Sequence, residues 1–428
     1  MKRGLYGALA NRWGPYVLAT VLLATDYALS ARGLSHAGPG YTTWALDHST
    51  YSDVVSLSGE HYLRGAAVIH PLPYVHDRIE YPVLLGFGLW LPTWLPGGVV
   101  TWFAVAGVFN TAATLGSIAL IRRQHPPAAW WIAASPALLL DGAVNWDLIG
   151  IFFLVASVVW FGERRYRPSG AACAVGTCYK LFPVVVVPMA LAALGSRWWR
   201  GSGRPEADAD GTVGASNRNP ASELARWLIP FGVVGAVAFL PFLALNAANT
   251  TWFVRFNDLR PQKDSIWDLL SKFVGRWAAI NGTINTASLL IVMAAFGYGA
   301  WMVWRAADAD QARAMALSAA LAIVIWMMVN KVWNPQYVLW VFAAGAFTSM
   351  PARYAVALAV ASLYDNWYEY LLRRPATHDL YLGAGQVGEA LRAVVFLFMA
   401  AWVVIQLTRL VGVETRERAE FQPAPTPS

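Results

Sequence analysis

Long apolar runs dominate this chain and restrict it to folds whose solvent is a membrane. A helix needs about 20 mostly apolar residues to cross the bilayer core, and fewer where neighbouring protein covers part of it. Only 13% of the 428 residues are charged, whereas soluble domains carry about 25%. The chain is therefore predicted to be an all-α polytopic membrane protein. Twelve runs are candidate transmembrane helices: 15–31, 99–121, 128–142, 147–162, 169–180, 183–195, 227–246, 286–304, 313–329, 336–350, 353–368 and 390–410.

Basic residues in the short loops assign the two sides of the membrane. Loops rich in Lys and Arg stay in the cytoplasm, and Lys2, Arg3 and Arg12 put the N-terminus there. Twelve crossings fit the other basic loops if 169–195 is a hairpin of two short helices and 82–96 lies in the outer interface. Both termini are then cytoplasmic. The net charge of +7 follows from these loops and indicates no nucleic-acid partner.

The polar segments between the runs are assigned to the two faces. Residues 32–81 and 247–285 form the large outer loops, and residues 369–389 form a smaller one. Residues 201–222 are rich in Gly, Ser and Asn, which is typical of a flexible linker, here on the cytoplasmic side. Residues 411–428 form a cytoplasmic tail.

Lysine collects on the unexpected side of this topology. Apart from Lys2, the lysines lie at or near the outer face: Lys180, Lys263, Lys272 and Lys331. An anionic ligand at that face would explain them, and so would pairing with the acids of the second outer loop. For Lys263 and Lys272 both explanations remain open. Lys180 lies at the tip of a helix hairpin, where an unpaired ammonium is costly, so a ligand is favoured there.

The segment TYSDVVSLSGEHYLRG, residues 50–65, follows the first run and concentrates charge. Its apolar and polar residues fall on different sides at helical spacing, which predicts an amphipathic helix on the membrane surface. Asp53 is either a cap or first-turn residue of that helix or a chemical group. Glu60 and Arg64, four residues apart, are interpreted as a structural pair.

Three further motifs put polar groups near the outer face. NWD, residues 145–147, opens a helix, and its aspartate is either a cap or a functional acid. DRIEYPVL, residues 77–84, precedes a helix that starts with proline, so its acids also suit an ordinary helix start. NKVWNPQY, residues 330–337, joins two runs with polar side chains of the kind that are functional or buried between helices. Glycine-rich phosphate loops and zinc-binding HExxH pairs do not occur.

Taken in order, these motifs resemble family 87 of the C-class glycosyltransferases, membrane enzymes of actinobacteria that use polyprenyl-phosphate sugars. The matching pieces are YSDVVSL, PY…EYPVL, NWD, YKLFP and WNPQYVLW, spread over residues 15–350. Members include the phosphatidylinositol-mannoside mannosyltransferase and an arabinofuranosyltransferase. The resemblance implies a C-class fold with amphipathic helices in the first outer loop. It also implies a catalytic core over 1–350 and C-terminal transmembrane helices over 351–410.

The resemblance implies that Asp53 is the catalytic base, because the family's catalytic aspartate lies in the first outer loop. Asp147 occupies the place of a second acid that many C-class enzymes carry. Asn145 stands beside it rather than another acid, so no metal or other cofactor is favoured.

The implied reaction is an inverting transfer of a sugar, with mannose favoured, from a polyprenyl-phosphate donor to a glycolipid or polysaccharide acceptor. It takes place at the outer face of the bacterial plasma membrane. An arabinofuranosyltransferase is the alternative within the family. A transporter of lipid-linked sugars would also need outer cations, but with charges spread through the midplane, and a cell-envelope scaffold is a third reading. Lys180, Lys331 and Arg260 are predicted to bind the donor phosphate. The remaining predicted substrate-binding residues are Glu80, Tyr81, Asn145, Trp146, Asp147, Trp333, Asn334 and Gln336.

Overall fold

Helices form the regular secondary structure of the protein in a computed structural model, and no strand occurs in the ranges that it describes. Those ranges are residues 12–58, 70–201, 220–274, 280–368 and 378–420. The predictions for Glu60, Arg64 and most of the linker 201–222 fall outside them.

The helices are numbered here in chain order. The first ten are α1 (Gly14–Ser30), α2 (Tyr41–Asp47), α3 (Asp53–Leu57), α4 (Val83–Trp90), α5 (Gly98–Gln124), α6 (Trp130–Ala133), α7 (Ala137–Leu140), α8 (Asp147–Gly162), α9 (Tyr166–Tyr179) and α10 (Val186–Gly201). The other eight are α11 (Pro220–Thr250), α12 (Trp252–Leu259), α13 (Ile266–Val274), α14 (Asn281–Arg305), α15 (Gln311–Val329), α16 (Val338–Thr348), α17 (Ala352–Trp367) and α18 (His378–Glu420).

Seven helical segments within the described residues are long and apolar enough to cross a membrane. The protein is therefore an all-α, multi-pass membrane protein. The seven segments are Gly14–His36, Gly98–Gln124, Phe182–Arg200, Pro220–Leu259, Asn281–Arg305, Gln311–Val329 and Gly385–Gly412.

The other five predicted runs form shorter helices. Helices α8 and α17 have 16 residues each, α9 has 14 and α16 has 11. The run 128–142 is not one helix, because it is divided into α6 and α7. Pro136 lies between these two helices. Proline breaks a helix because it has no backbone N–H to donate and its ring clashes with the preceding turn. Length alone therefore does not decide whether these five segments cross the membrane.

The bundle has a buried centre and an exposed edge. Helix α15 is central: 72% of its most apolar 18-residue stretch is buried, and it packs against α14, α16 and α18. The segment Pro220–Leu259 is peripheral: 6% of its most apolar stretch is buried, and its helix α11 packs against α9 and α10. This contrast identifies α11 as a helix that exposes most of its apolar surface to lipid.

The segment 82–96, predicted to lie in the outer interface, is too short to be one membrane-crossing helix. It contains α4 and a single 3₁₀ turn, Leu91–Trp94. Leu85 and Leu89 are buried, whereas Trp94 and Leu95 are exposed. At the other end of the chain α18 continues to Glu420, so the predicted tail 411–428 begins as a helix.

Candidate functional site

Asp53 lies at the start of α3, and the rest of the predicted amphipathic helix, beyond Ser58, lies outside the described residues. Ser52 is extended, with φ −144° and ψ 127°, and α3 follows with five residues. The Asp53 N–H donates to the Val144 carbonyl at 2.8 Å, and the Ser52 hydroxyl donates to the Ala143 carbonyl at 2.7 Å. Residues 52 and 53 are thereby tied to the turn that precedes α8.

The Asp53 carboxylate accepts hydrogen bonds from side chains of three separate chain segments. The Tyr51 hydroxyl donates to Oδ1 at 2.7 Å, and the Asn145 amide donates to Oδ2 at 2.6 Å. The Tyr81 hydroxyl makes a longer contact with Oδ2, at 3.5 Å, and itself accepts from Asn145 at 3.1 Å. Donors of this kind stabilise an ionised carboxylate. The arrangement therefore goes beyond helix capping, which needs only backbone N–H groups.

Both tyrosines remain proton donors over the ordinary pH range. The negative charge of Asp53, followed by burial, raises the pKa of Tyr51 far above its usual value. Burial, followed by the charges of Asp53 and Glu80, raises the pKa of Tyr81 well above its usual value. A phenol that stays protonated can donate to Asp53 but cannot compete with it as a base.

Lys180 and Asp147 form a buried ion pair beside Asp53. The Lys180 Nζ lies 3.1 Å from the Asp147 Oδ1 and 4.2 Å from the centroid of the Tyr81 ring. The lysine segment approaches α8 closely at Gly150, where an added Cβ would come within 3.0 Å of the Lys180 Cβ. The sequence favoured an anionic ligand for Lys180. In the structure the Asp147 carboxylate is its partner, and a buried charge requires such a partner.

A cavity of about 560 Å³ opens beside these groups. The predicted site residues that border it are Asp53, Glu80, Tyr81, Lys180, Arg260, Asn334 and Gln336. Apolar side chains of α12 and α15, including Phe253, Phe256 and Trp326, form part of its wall. One wall is therefore polar and charged, and another is apolar.

Arg260 is the cation of this cavity whose charge is least compensated. Lys180 is paired with Asp147, and Lys263 lies 3.6 Å from Asp264. Within the described residues no carboxylate forms an ion pair with Arg260, whose guanidinium lies 5.3 Å from the centroid of the Phe256 ring. A guanidinium with open donors matches a phosphate group.

Asn145, Trp146 and Asp147 do not border the cavity but support its wall from behind. Asn145 contacts Asp53, and Asp147 contacts Lys180. Trp146 is buried in the small apolar cluster that also holds Tyr74 and Val54. Asn145 and Asp147 thus hold two residues of the wall in place, and the substrate-binding role of all three stays a prediction.

Lys331, predicted to bind phosphate, does not border the cavity. Its ammonium donates to the Asp258 carbonyl at 2.7 Å and to the Asn281 amide oxygen at 3.1 Å. Burial lowers the pKa of Lys331. Its backbone carbonyl accepts from the Lys263 N–H at 2.9 Å, so Lys331 joins two loops. Two neutral oxygens thus bind this ammonium, and its phosphate-binding role stays a prediction.

Trp333, predicted to bind substrate, does not border the cavity at Asp53. Its ring lies under the Arg392 guanidinium at 4.5 Å and packs against Phe396 with centroids 5.8 Å apart. It borders a separate void of about 10 Å³ rather than the cavity at Asp53. The segment 330–337 therefore turns only its later part, Asn334 and Gln336, towards the cavity.

Sequence reasoning missed Tyr51 and the aromatic residues of α12 as parts of the site. Tyr51 was placed on the apolar side of a continuous helix, but the extended backbone at Ser52 turns it towards Asp53. The phenylalanines of α12 carried no motif, and only their position after a span put them near the outer end. Within the described residues no group of three His, Cys, Asp or Glu side chains is close enough to hold a metal ion.

Comparison with known proteins identifies no relative. No protein-family model matches the chain, and no significant match occurs among curated proteins. The resemblance to family 87 therefore stays a prediction, and the geometry at Asp53 has to carry the functional argument.

Proposed function

We propose that the protein is an inverting glycosyltransferase that takes its sugar, mannose in the first instance, from a polyprenyl-phosphate donor. One observation carries the proposal: the Asp53 carboxylate borders a large cavity whose wall also carries Lys180 and Arg260. A base and a cation facing one space are the two groups that such a transfer needs. The acceptor is a glycolipid or a polysaccharide.

Asp53 acts on the acceptor in this mechanism. Its carboxylate takes the proton of the acceptor hydroxyl as the hydroxyl oxygen attacks the anomeric carbon. The bond between that carbon and the phosphate oxygen breaks, and its electron pair leaves with the phosphate. Attack from the side opposite the leaving group inverts the configuration. General-base catalysis of this kind contributes about 10²–10⁴-fold to a rate.

Arg260 acts on the leaving group. Negative charge grows on the phosphate oxygen as the bond breaks, and a guanidinium can bind two phosphate oxygens at once. Lys180 is already neutralised by Asp147, so it contributes less net charge than a free ammonium would. Among the predicted phosphate-binding residues, Arg260 therefore takes the main role.

The lipid part of the donor needs an apolar path into the cavity. Helices α11 and α14 do not pack against each other along their lengths, and they are among the least buried segments. The aromatic wall of the cavity, formed by Phe253 and Phe256, belongs to α12, which directly follows α11. We assign the polyprenyl chain to this side.

The proposal includes the finer architecture that the resemblance implies. It is a C-class fold with twelve crossings, cytoplasmic termini and a cavity on the outer face of the bacterial plasma membrane. The basic residues of the short loops support this orientation. Accessibility of single cysteines introduced at Thr42 and at Ser349 to a membrane-impermeant reagent would test it: Thr42 should label from outside and Ser349 should not.

A donor panel tests the reaction. The purified protein in lipid nanodiscs is given radiolabelled polyprenyl-phosphate mannose or polyprenyl-phosphate arabinose together with a membrane glycolipid extract. The proposal predicts label in glycolipid or polysaccharide with the mannosyl donor. Label only from arabinose would change the sugar. Donor that crosses the bilayer of a sealed vesicle without any transfer would replace the enzyme by a transporter.

A further inference from the structure

We propose that Asp26 and Asn110, two polar side chains inside membrane-spanning helices, are positioning residues that fix Asp53 through the turn 142–145. For its kinetic consequence the inference rests on the proposed function. The structural part of the inference, that two distant residues position Asp53, does not depend on the proposed function. Asp26 belongs to α1 and Asn110 to α5, and neither contributes to the wall of the cavity.

Asp26 holds the first peptide group of the turn. Its Oδ2 accepts the Ala143 N–H at 2.7 Å, and its Oδ1 lies 3.4 Å from the Ser30 hydroxyl. Only 5% of the Asp26 surface is exposed. A carboxyl group buried at membrane depth is expensive, and it is retained where it performs a task. The task visible here is to bind a backbone N–H that would otherwise be buried without a partner.

Asn110 holds the two ends of the turn together. Its amide Nδ2 donates to the Asn145 carbonyl at 2.8 Å and to the Gly142 carbonyl at 3.2 Å. The same nitrogen lies 2.9 Å from the Tyr27 hydroxyl oxygen. Asn110 is completely buried. One side chain thus binds residues three positions apart, which sets the curvature of the turn between them.

Residues 52 and 53 bind the turn from the side of Asp53. The hydrogen bonds that surround residues 142–145 are called the frame below. The Ala143 and Val144 carbonyls accept from the Ser52 hydroxyl and the Asp53 N–H. Gly142 is required at the other side, because an added Cβ would lie 2.5 Å from a Leu23 methyl carbon. Four successive residues, 142–145, therefore have a backbone group fixed by α1, α5 or the first outer loop.

The frame ends at the side chain that touches Asp53. The Trp146 N–H donates to the Asn145 Oδ1 at 2.6 Å, so the amide must turn its nitrogen towards Asp53. Its two hydrogens then point at the Asp53 Oδ2 and the Tyr81 oxygen. A small rotation of the turn would withdraw the shortest donor of the Asp53 carboxylate.

The test observes the hydrogen bonding of the Asp53 carboxylate directly. Infrared difference spectra between each protein and its Asp53→Asn counterpart isolate the carboxylate stretching bands of Asp53 at one fixed pH. Asn110→Leu removes the amide, Asp26→Leu removes the acceptor of the Ala143 N–H, and Asp26→Asn keeps an acceptor oxygen. The matched control is Ser117→Ala, which removes a buried hydroxyl of α5 that donates to the Ala113 carbonyl.

Asn110→Leu and Asp26→Leu are expected to shift the Asp53 carboxylate bands away from their wild-type positions, because the Asn145 donor is withdrawn. Asp26→Asn and Ser117→Ala should leave the bands unchanged. In the transfer assay the two Leu variants should lower kcat by about tenfold, the scale of one lost hydrogen bond to a charged group, and leave donor KM unchanged.

Unchanged Asp53 carboxylate bands in folded Asn110→Leu would overturn the inference, and so would a shift of the bands in Asp26→Asn. If the Leu variants do not fold, Ser52→Ala decides, because it removes the hydroxyl that contacts the Ala143 and Val144 carbonyls. It should shift the bands in the same direction by a smaller amount, and no shift would refute the frame. If the wild-type protein transfers no sugar, the proposed function fails while the infrared result still stands by itself.

Discussion

Two of the buried clusters of charged and polar side chains in the described residues differ in the space beside them. The Asp53 cluster borders a cavity of about 560 Å³. The Arg392 cluster borders a void of about 10 Å³, room for at most one water molecule. The Asp53 cluster consists of Tyr51, Asp53, Tyr81, Asn145, Asp147 and Lys180. The Arg392 cluster consists of Asp264, Trp333, Asp365, Tyr368 and Arg392.

The Arg392 cluster joins elements and leaves no group open to a ligand-sized space. The Arg392 guanidinium donates to the Asp365 carboxylate and to the Asp264 carbonyl, and it covers the Trp333 ring. Tyr368 donates to the Asp264 Oδ1 at 3.3 Å. The Arg392 cluster thereby connects helices α17 and α18 to the loop before α13 and to the loop before α16. The comparison teaches that buried charge in a membrane protein indicates function only where there is also room for a ligand.

Removing the base should produce the largest change, and only in the Asp53 cluster. Asp53→Asn keeps the shape of the side chain but removes the proton acceptor, so transfer should fall by about 10²–10⁴-fold. Thermal unfolding and donor binding should be unchanged, measured by a melting curve and by binding of labelled donor lipid. Asp365→Asn is the matched variant: it should keep the specific activity of the folded protein. Equal loss of activity in both would remove the distinction between the clusters.

Removing the cation of the Arg392 cluster should reduce the stability of the folded protein. Arg392→Met leaves the Asp365 carboxylate buried without its partner, which costs about 3–5 kcal/mol. The measurement is thermal unfolding in a fixed detergent. The double variant Arg392→Met/Asp365→Leu should recover most of the loss, because it buries no unpaired charge. A single variant as stable as the wild type would show that the pair contributes nothing.

Removing the cation of the Asp53 cluster should reduce stability by a smaller amount. Lys180→Met also leaves a buried acid, Asp147, but the cavity lets water reach the space that the ammonium vacates. We expect a loss of about 1–3 kcal/mol, the range for an acceptor that is left without its donor. Thermal unfolding in parallel with Arg392→Met compares the two directly. A loss as large as that of Arg392→Met would mean that the cavity does not hydrate the Asp53 cluster.

The phosphate-binding role of Arg260 predicts the smallest change. Arg260→Lys keeps the charge and removes the two-pronged geometry, so donor affinity should fall about tenfold, or about 1.4 kcal/mol. Acceptor KM and the melting temperature should not move. Lys331→Arg, at a predicted phosphate-binding residue that does not border the cavity, is the control and should leave donor affinity unaltered. Equal effects of the two would restore Lys331 to the site.

The sequence predicted the membrane solvent and the helical class. These follow from composition and local order along the chain, which a sequence displays directly. Seven of the predicted runs correspond to helices long enough to cross the membrane. The division of 128–142 was also visible in principle, since Pro136 marks it.

The contacts that build the site could not be predicted in the same way. Asn145 and Asp53 are 92 positions apart, and nothing local indicates that an amide meets this carboxylate. Lys331 and Asn334 lie in one short motif, yet the ammonium turns to the Asp258 carbonyl and the amide borders the cavity. Side-chain direction in a turn depends on the partners that other helices supply. The positions of the lysines along the chain do not show that Lys180 pairs with Asp147.

The most direct test of the account is to see where a donor binds. A cryo-electron microscopy structure would be determined with a polyprenyl-phosphonate mannose, whose carbon–phosphorus bond cannot be cleaved. The account predicts the phosphonate within hydrogen-bond distance of Arg260 and the anomeric carbon beside the Asp53 carboxylate. The lipid chain should leave between α11 and α14. A donor bound elsewhere, with the Asp53 cavity containing only water, would contradict the central claim.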